Sequence, residues 1–157
     1  MKNNFILISV FTLMISSCGQ NNDIKKVSRI FDFEDILTIK QEKYLDAIIS
    51  KYQRKTANEI MILTSKDIGI YENAIQYAVT FGNEHGIYIK GKNNGLVIFV
   101  SKNLEQTSLA TGYGTDKSLQ DEISRQIVDS CMIPLFKEEK YFEGIKVAIK
   151  ESIKNWN

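Results

Sequence analysis

Apolar and polar residues follow a helical period in some segments of the chain and a strand-like pattern in others. A capping-box pair, Thr38 and Gln41, precedes an apolar stripe at i, i+3, i+4 and i+7 that predicts an amphipathic helix, with Leu45, Ile48, Ile49 and Tyr52 as its members. The run at residues 59–63 (EIMIL) predicts a buried strand. A second helix is predicted over about residues 71–82, with the stripe Ala74, Tyr77, Ala78 and Phe81.

Two further strand-like runs predict a β-hairpin. Residues 96–100 are continuously apolar, as in a strand buried on both faces, and residues 106–111 alternate as in a half-buried strand. In an antiparallel hairpin the start of the first strand lies beside the end of the second, about 5 Å away. We therefore expect Asn94 and Gly95 to lie next to Gly112 and Tyr113, at one edge of the sheet.

The remaining helices complete an α/β pattern. A third helix is predicted from about Ser118 to the only proline, Pro134, with Ile123, Ile127, Val128 and Cys131 facing inward. A last helix is predicted over about residues 138–153. This order of elements predicts a single-domain α/β sandwich with a small mixed sheet, made from a right-handed βαβ crossover and the hairpin. The Asn-Gly and Gly-Tyr-Gly segments lie at the amino end of strand 96–100, which argues against a nucleotide cofactor of the doubly wound type.

The first residues of the chain predict where the protein is located in the cell. Residues 1–17 read as a secretion signal, because the apolar run is too short for a stable membrane span and ends in Ile-Ser-Ser before Cys18. This resembles a bacterial lipobox, so we expect Cys18 to carry a lipid, residues 18–29 to form a tether, and the protein to be anchored in the bacterial cell envelope. The alternative is an ordinary cleaved signal with an incidental cysteine.

Charge and cysteine content narrow the functional classes. The chain has 20 Lys and Arg against 19 Asp and Glu, a formal net charge of +1. This net charge does not favour the binding of nucleic acid. The chain has two cysteines, and if Cys18 carries a lipid, Cys131 is the only free one. An intrachain disulfide in the mature chain is then excluded. We expect one domain over residues 30–157, held together by its core.

Three segments of the chain resemble those of a known family. The segment NEHGIYIKGKNNGLVIFVSKNLEQTSLATGYGTDKSLQD, with IFDFEDILT before it and IPLFKEEKYFEGI after it, is similar to the TPM domain family over about residues 30–153. The resemblance implies a three-layer α/β/α sandwich and an acidic site that binds divalent cations in some members. Phosphatase activity is claimed for some relatives and is absent from others.

The chain departs from the family pattern at positions that bear on catalysis. Tyr88 stands where members often have glycine, and Glu105 and Ser108 stand on or next to the second hairpin strand, where arginines are frequent. Guanidinium groups are the usual partners of a phosphoryl group, so this loss weakens a phosphatase assignment.

The family pattern points to four oxygen ligands: Asp32, Asn94, Asp116 and Asp121. Oxygen ligands suit Ca²⁺ or Mg²⁺, whereas zinc prefers His and Cys, which are scarce here. We expect four residues to form the wall of the site: Gly95, Gly112, Tyr113 and Gly114.

Each candidate also has a structural explanation. Asp121 completes a capping box with Ser118, Asp116 and Asn94 are common turn residues, and Asp32 by itself reads as a surface residue. His85 is expected to cap a helix or lie at the surface, and Cys131 to belong to the core. Packing explains Tyr113 as well as a site does.

Two functions remain open at this stage. The first is a non-catalytic accessory module that is anchored to the membrane through Cys18 and contacts an envelope protein in assembly, repair or quality control. The second is a metal-assisted acid phosphatase, with Asp32, Asp116 or Asp121 as nucleophile or base. We favour the first, because residues that would clamp a phosphate are missing.

Overall fold

A mixed sheet of four strands forms the middle layer of the protein. The computed structural model describes residues 29–88, 94–112, 119 and 121–156. The strands are β1 (Ile30–Asp32), β2 (Glu59–Thr64), β3 (Gly95–Ser101) and β4 (Gln106–Thr111), side by side in chain order. β1, β2 and β3 are parallel, and β4 is antiparallel to β3, which confirms the predicted hairpin. Sequence analysis missed β1, because three residues are too few to show a period.

In the described part of the chain, five α-helices surround the sheet, and side chains cap the first two of them. They are α1 (Ile39–Thr56), α2 (Ala74–Glu84), α3 (Asp121–Ile127), α4 (Ile133–Lys137) and α5 (Tyr141–Asn155), with a π-helical segment (Val128–Met132) between α3 and α4. The capping box of α1 is confirmed: Thr38 Oγ1 accepts from Gln41 N at 3.3 Å, and Gln41 Oε1 accepts from Thr38 N at 2.8 Å. α2 begins three residues later than predicted because Asn73 Oδ1 caps it, accepting from Gln76 N at 2.9 Å.

Helices cover both faces of the sheet, so the chain is the expected three-layer sandwich. In β3, Leu96 and Ile98 face a core that includes residues of α1 and α5, whereas Val97 and Phe99 face a second core under α2. Both faces of β3 are therefore dry, which explains its unbroken apolar sequence. β4 is covered as well, so the expectation of a half-buried strand was wrong: Ser108, Leu109 and Ala110 are all buried.

The two parallel crossovers have opposite handedness. β1, β2 and β3 follow one another across the sheet in one direction, yet α1 packs on one face and α2 on the other. Two successive crossovers with the same hand would place both helices on the same face. The right-handed rule used for the β2–α2–β3 unit therefore cannot hold for both crossovers.

Pro134 does not end the third helix, which corrects the sequence-based expectation. The chain stays helical to Lys137, and Pro134 lies in the first turn of α4, directly after the π-helical segment. The π-helical segment before it adds one residue to the turn, and Ile133 N bonds to Val128 O. This extra residue shifts the apolar stripe, so Met132 is fully buried instead of the expected Cys131, which is only partly buried.

No helix in the described part of the chain is both long and apolar enough to cross a membrane. Residues 1–28, which hold the predicted signal and Cys18, lie outside the described residues. The signal sequence, the lipid on Cys18 and the location in the cell envelope therefore stay predictions.

Candidate functional site

The hairpin brings Asn94, Gly95 and Gly112 together at the amino end of β3. Gly112 N donates to Gly95 O at 3.1 Å, and Asn94 O accepts from Glu59 N at 3.0 Å, so these residues continue the strand ladders. Asn94 is 9% exposed, and its Nδ2 donates to Ala57 O. Its Oδ1 is buried and has no hydrogen-bond partner among residues 29–88, 94–112, 119 and 121–156. An orphaned buried carbonyl oxygen is costly in a folded protein, and it is a ligand type that Ca²⁺ and Mg²⁺ accept.

Close packing within the chain explains Gly95. A Cβ at this position would lie 2.5 Å from Ile87 O and 2.5 Å from Tyr88 Cδ1. Tyr88 lies across this end of the sheet, and its hydroxyl donates to Ala110 O at 3.3 Å. The backbone that approaches Gly95 is therefore the protein's own, and the glycine does not require a ligand.

The other expected members of this edge are only partly placed. Asp116, Tyr113 and Gly114 lie outside the described residues. Asp121 is the first residue of α3 and is exposed, and Leu119, just before it, is fully buried and anchors the start of that helix in the core. The structure thus brings Asn94 to Gly95 and Gly112, and places Asp121 at a helix start.

Asp32 lies at the opposite end of the sheet, which corrects the expected four-ligand set. Asp32 pairs with Thr64, and Thr64 with Val100, at the carboxyl ends of the parallel strands. Asn94 precedes the amino end of β3, about six strand residues away, or roughly 20 Å at 3.3 Å per residue. Ligands of one Ca²⁺ ion lie about 2.3–2.6 Å from it, so Asp32 and Asn94 do not share an ion.

The carboxylate of Asp32 already has partners. Its Oδ2 accepts from Leu37 N at 2.8 Å, and its Oδ1 accepts from Ile36 N at 3.2 Å and from the hydroxyl of Thr64. These bonds fix the loop between β1 and α1. Asp32 therefore has a structural role that its sequence position did not reveal.

Sequence analysis missed a polar groove at the carboxyl end of the sheet. Glu34 ties this region together: its carboxylate accepts from Lys102 N at 2.8 Å and from Asn103 N at 2.7 Å, at the hairpin turn. The other residues that line this groove include Asp35, Lys66, Glu139 and Tyr141. A usable signal was present, because a polar pair follows each parallel strand, directly after β2 and β3 and one residue after β1, where ligands of open α/β sheets gather.

Burial and neighbouring acids perturb two carboxyl groups. Burial raises the pKa of Glu59, opposed by Arg29 and by the hydrogen bond that Gln53 Nε2 donates to its carboxylate at 2.9 Å. The pKa of Glu42 is raised by burial and then by the negative charges of Asp32 and Asp35.

The arginines do not form a phosphate clamp in the described part of the chain. Arg29 is engaged by Asp46 at 3.5 Å, by Ser50 at 3.4 Å and by Gln53. Arg54 and Arg125 are exposed, at the end of α1 and in α3. His85 is the C-cap residue of α2, as expected; its Nδ1 lies 2.9 Å from Phe81 O, and its ring stacks on Phe81.

The residues expected to bind a metal ion fit such a site only in part. The described residues contain no group of three or more His, Cys, Asp or Glu that could hold an ion by themselves. At the amino end, Asn94 Oδ1 is the described oxygen that fits, and Asp116 and Asp121 would have to complete the set. Asp32 does not fit.

Comparison with known proteins gives the family and the fold. The model of the TPM domain matches residues 30–155. Among solved structures, the N-terminal domain of a P. gingivalis protein is 21% identical, with a TM-score of 0.74, covering 83% of each chain. The BA42 protein of the psychrophilic bacterium Bizionia argentinensis is 17% identical, with a TM-score of 0.66, covering 80% of this chain and 88% of its own.

The N-terminal domain of the cg2496 protein of Corynebacterium glutamicum is 10% identical, with a TM-score of 0.62, covering 93% of this chain and 88% of its own. At these identities the likeness shows the fold alone. A search of curated proteins finds no match. Since the family model spans most of the chain and the folds agree, the chain belongs to the TPM domain family.

Proposed function

We propose that this protein is a lipid-anchored accessory module of the bacterial cell envelope that binds other envelope proteins. In this proposal Cys18 carries the lipid and the domain acts outside the cytoplasm. The amino end of the sheet, around Asn94, holds Ca²⁺ or Mg²⁺ with the help of Asp116 and Asp121.

One observation supports the cation part of the proposal: the buried Oδ1 of Asn94 has no hydrogen-bond partner among the described residues. A bound cation would satisfy this oxygen near the end of β4, which Asp116 follows in the sequence. The absence of a phosphate clamp among the described arginines supports a binding role over catalysis.

The second candidate is a metal-assisted acid phosphatase, which the label of the matching family model names. It requires groups that stabilise the transferring phosphoryl charge. Asp32, one of its three possible nucleophiles, has both carboxylate oxygens engaged by hydrogen bonds. We therefore rank this candidate second.

Crosslinking in the native envelope tests the proposal. The full-length protein and its Cys18→Ala variant are expressed at equal levels, crosslinked in intact cells, fractionated and purified. We expect the wild type in the membrane fraction with specific envelope proteins attached, and the variant released or stalled without them.

A wild type that fractionates as a soluble protein contradicts the anchor. A wild type that crosslinks to no envelope protein contradicts the accessory role. Metal-dependent turnover of a generic phosphomonoester that disappears in Asp121→Ala would favour the phosphatase instead.

A further inference from the structure

The outer edge of β4 has no neighbouring strand among the described residues. Gly112 bonds to Gly95, and Ser108 is the register partner of Phe99, so in this antiparallel ladder Ser108 and Ala110 direct their backbone groups toward β3. The intervening residues, Thr107 and Leu109, therefore direct their N–H and C=O groups away from β3. An open edge of this kind is a template for another extended strand.

A groove runs along this edge. One wall comes from the start of α2, where Ile75 is 56% exposed. The opposite wall comes from the π-helical segment and α4, through Val128, Ile133 and Phe136. Apolar side chains on both sides of an open strand suit the alternate side chains of a peptide that pairs with it.

A buried hydroxyl in the same groove is unsatisfied. Five buried side-chain polar atoms among the described residues have no hydrogen-bond partner, and Ser108 Oγ is the one of these five in the wall of this groove. Ser108 is 6% exposed. A buried hydroxyl without a partner is unfavourable in the free protein, and a polar group of a ligand would relieve it.

The shape and charge of the groove indicate its occupant. The lining places polar and charged side chains beside the apolar walls. Lys102 pairs with Glu139 at 3.8 Å, which leaves Glu105 and Asp129 against Lys137 among the charged groups of the lining. The remaining charge is acidic.

We propose that β4 binds an extended segment of a partner protein by strand addition, with apolar side chains in the groove and a basic residue facing Glu105 or Asp129. This inference rests on the proposed accessory function and names the surface that contacts the partner. The hydrogen bonds of the added strand are made by Thr107 and Leu109.

Amide hydrogen exchange of the full chain, in detergent micelles, tests the pairing. The probe is a synthetic peptide, Lys-Val-Thr-Val-Thr-Val-Lys, at tenfold excess over its measured Kd. About one protein molecule in eleven is then free, so exchange at Thr107 and Leu109 should slow about tenfold. The amides of Ser108 and Ala110, which already pair with β3, should change much less.

Two matched variants locate the binding. Ile75→Glu places a charge in the groove wall and should weaken binding at least tenfold, whereas Ile39→Glu, at the first turn of α1 and 70% exposed, should bind as the wild type does. The peptide with its alternate amides N-methylated on the edge that faces β4 should also lose binding.

Unchanged exchange at Thr107 and Leu109 under saturating peptide overturns the inference, as does equal binding by Ile75→Glu. Protection of these amides that grows with protein concentration without peptide would assign the edge to a second copy and also overturn it. If envelope partners crosslink to the protein but these amides stay unprotected, only the surface is wrong. If no partner crosslinks at all, the proposed function itself fails.

Discussion

At the residue scale, three positions that looked functional in the sequence, Gly95, Asp32 and Asn94, have different roles in the structure. Gly95 is required by the close approach of Ile87 and Tyr88, and Asp32 by the loop that it caps. Asn94 Oδ1 has no hydrogen-bond partner in the described part of the chain. Sequence alone could not separate these roles, because each depends on contacts with residues outside its own strand.

Gly95→Ala should destabilise the fold. The added Cβ would lie 2.5 Å from the backbone oxygen of Ile87, which cannot move aside as a flexible side chain can. We expect a loss of about 1–3 kcal/mol in the free energy of unfolding, typical of overpacking. Urea denaturation measures it, and a variant as stable as the wild type would contradict the packing described here.

Glu59→Gln should flatten the pH dependence of stability. Burial raises the pKa of Glu59 in the folded state above its ordinary value of 4.5, so the folded state holds this proton more tightly than the unfolded state does. The contribution of Glu59 to stability is therefore lost as pH rises from about 4.5 through the raised pKa. Urea denaturation between pH 4.5 and 7 should show a smaller decline for the variant, and a steeper decline would refute this sign.

At the element scale, periodic segments were predictable and local exceptions were not. α1 has the expected position because its capping residues are a local signal, and β4 has the expected bounds although its burial does not alternate. Pro134 misled the prediction because the π-helical segment places it in the first turn of α4. The same extra residue exchanged Cys131 for Met132 in the core.

Thr38→Ala should weaken α1. The change removes the side chain that accepts from Gln41 N, and it should cost about 1 kcal/mol, as expected for a lost N-cap. Lys51→Ala, in the same helix and exposed, is the control and should stay within about 0.5 kcal/mol of the wild type. Equal stabilities for the two variants would argue against the cap.

At the scale of the whole molecule, sequence analysis found the layers but joined two ends of the sheet into one site. Strand order and register decide which loops meet, and with β1 unrecognised nothing fixed the end at which Asp32 would lie. The three parallel strands separate Asp32 and the polar groove from Asn94 and Gly112. The open edge of β4 is a third surface that only the topology reveals.

In the proposed function, the amino end of the sheet, without Asp32, is the cation-binding edge. A cation that binds only the folded state at a hundredfold excess over its Kd stabilises it by about 2.7 kcal/mol, which raises the melting temperature by several degrees. Thermal melts of the wild type, of Asp32→Asn and of the double variant Asp116→Asn, Asp121→Asn, each with and without Ca²⁺, test this claim most directly. We predict a full calcium shift in the wild type and in Asp32→Asn, and the loss of most of it in the double variant; no shift in the wild type, or an equal shift in the double variant, would contradict the account.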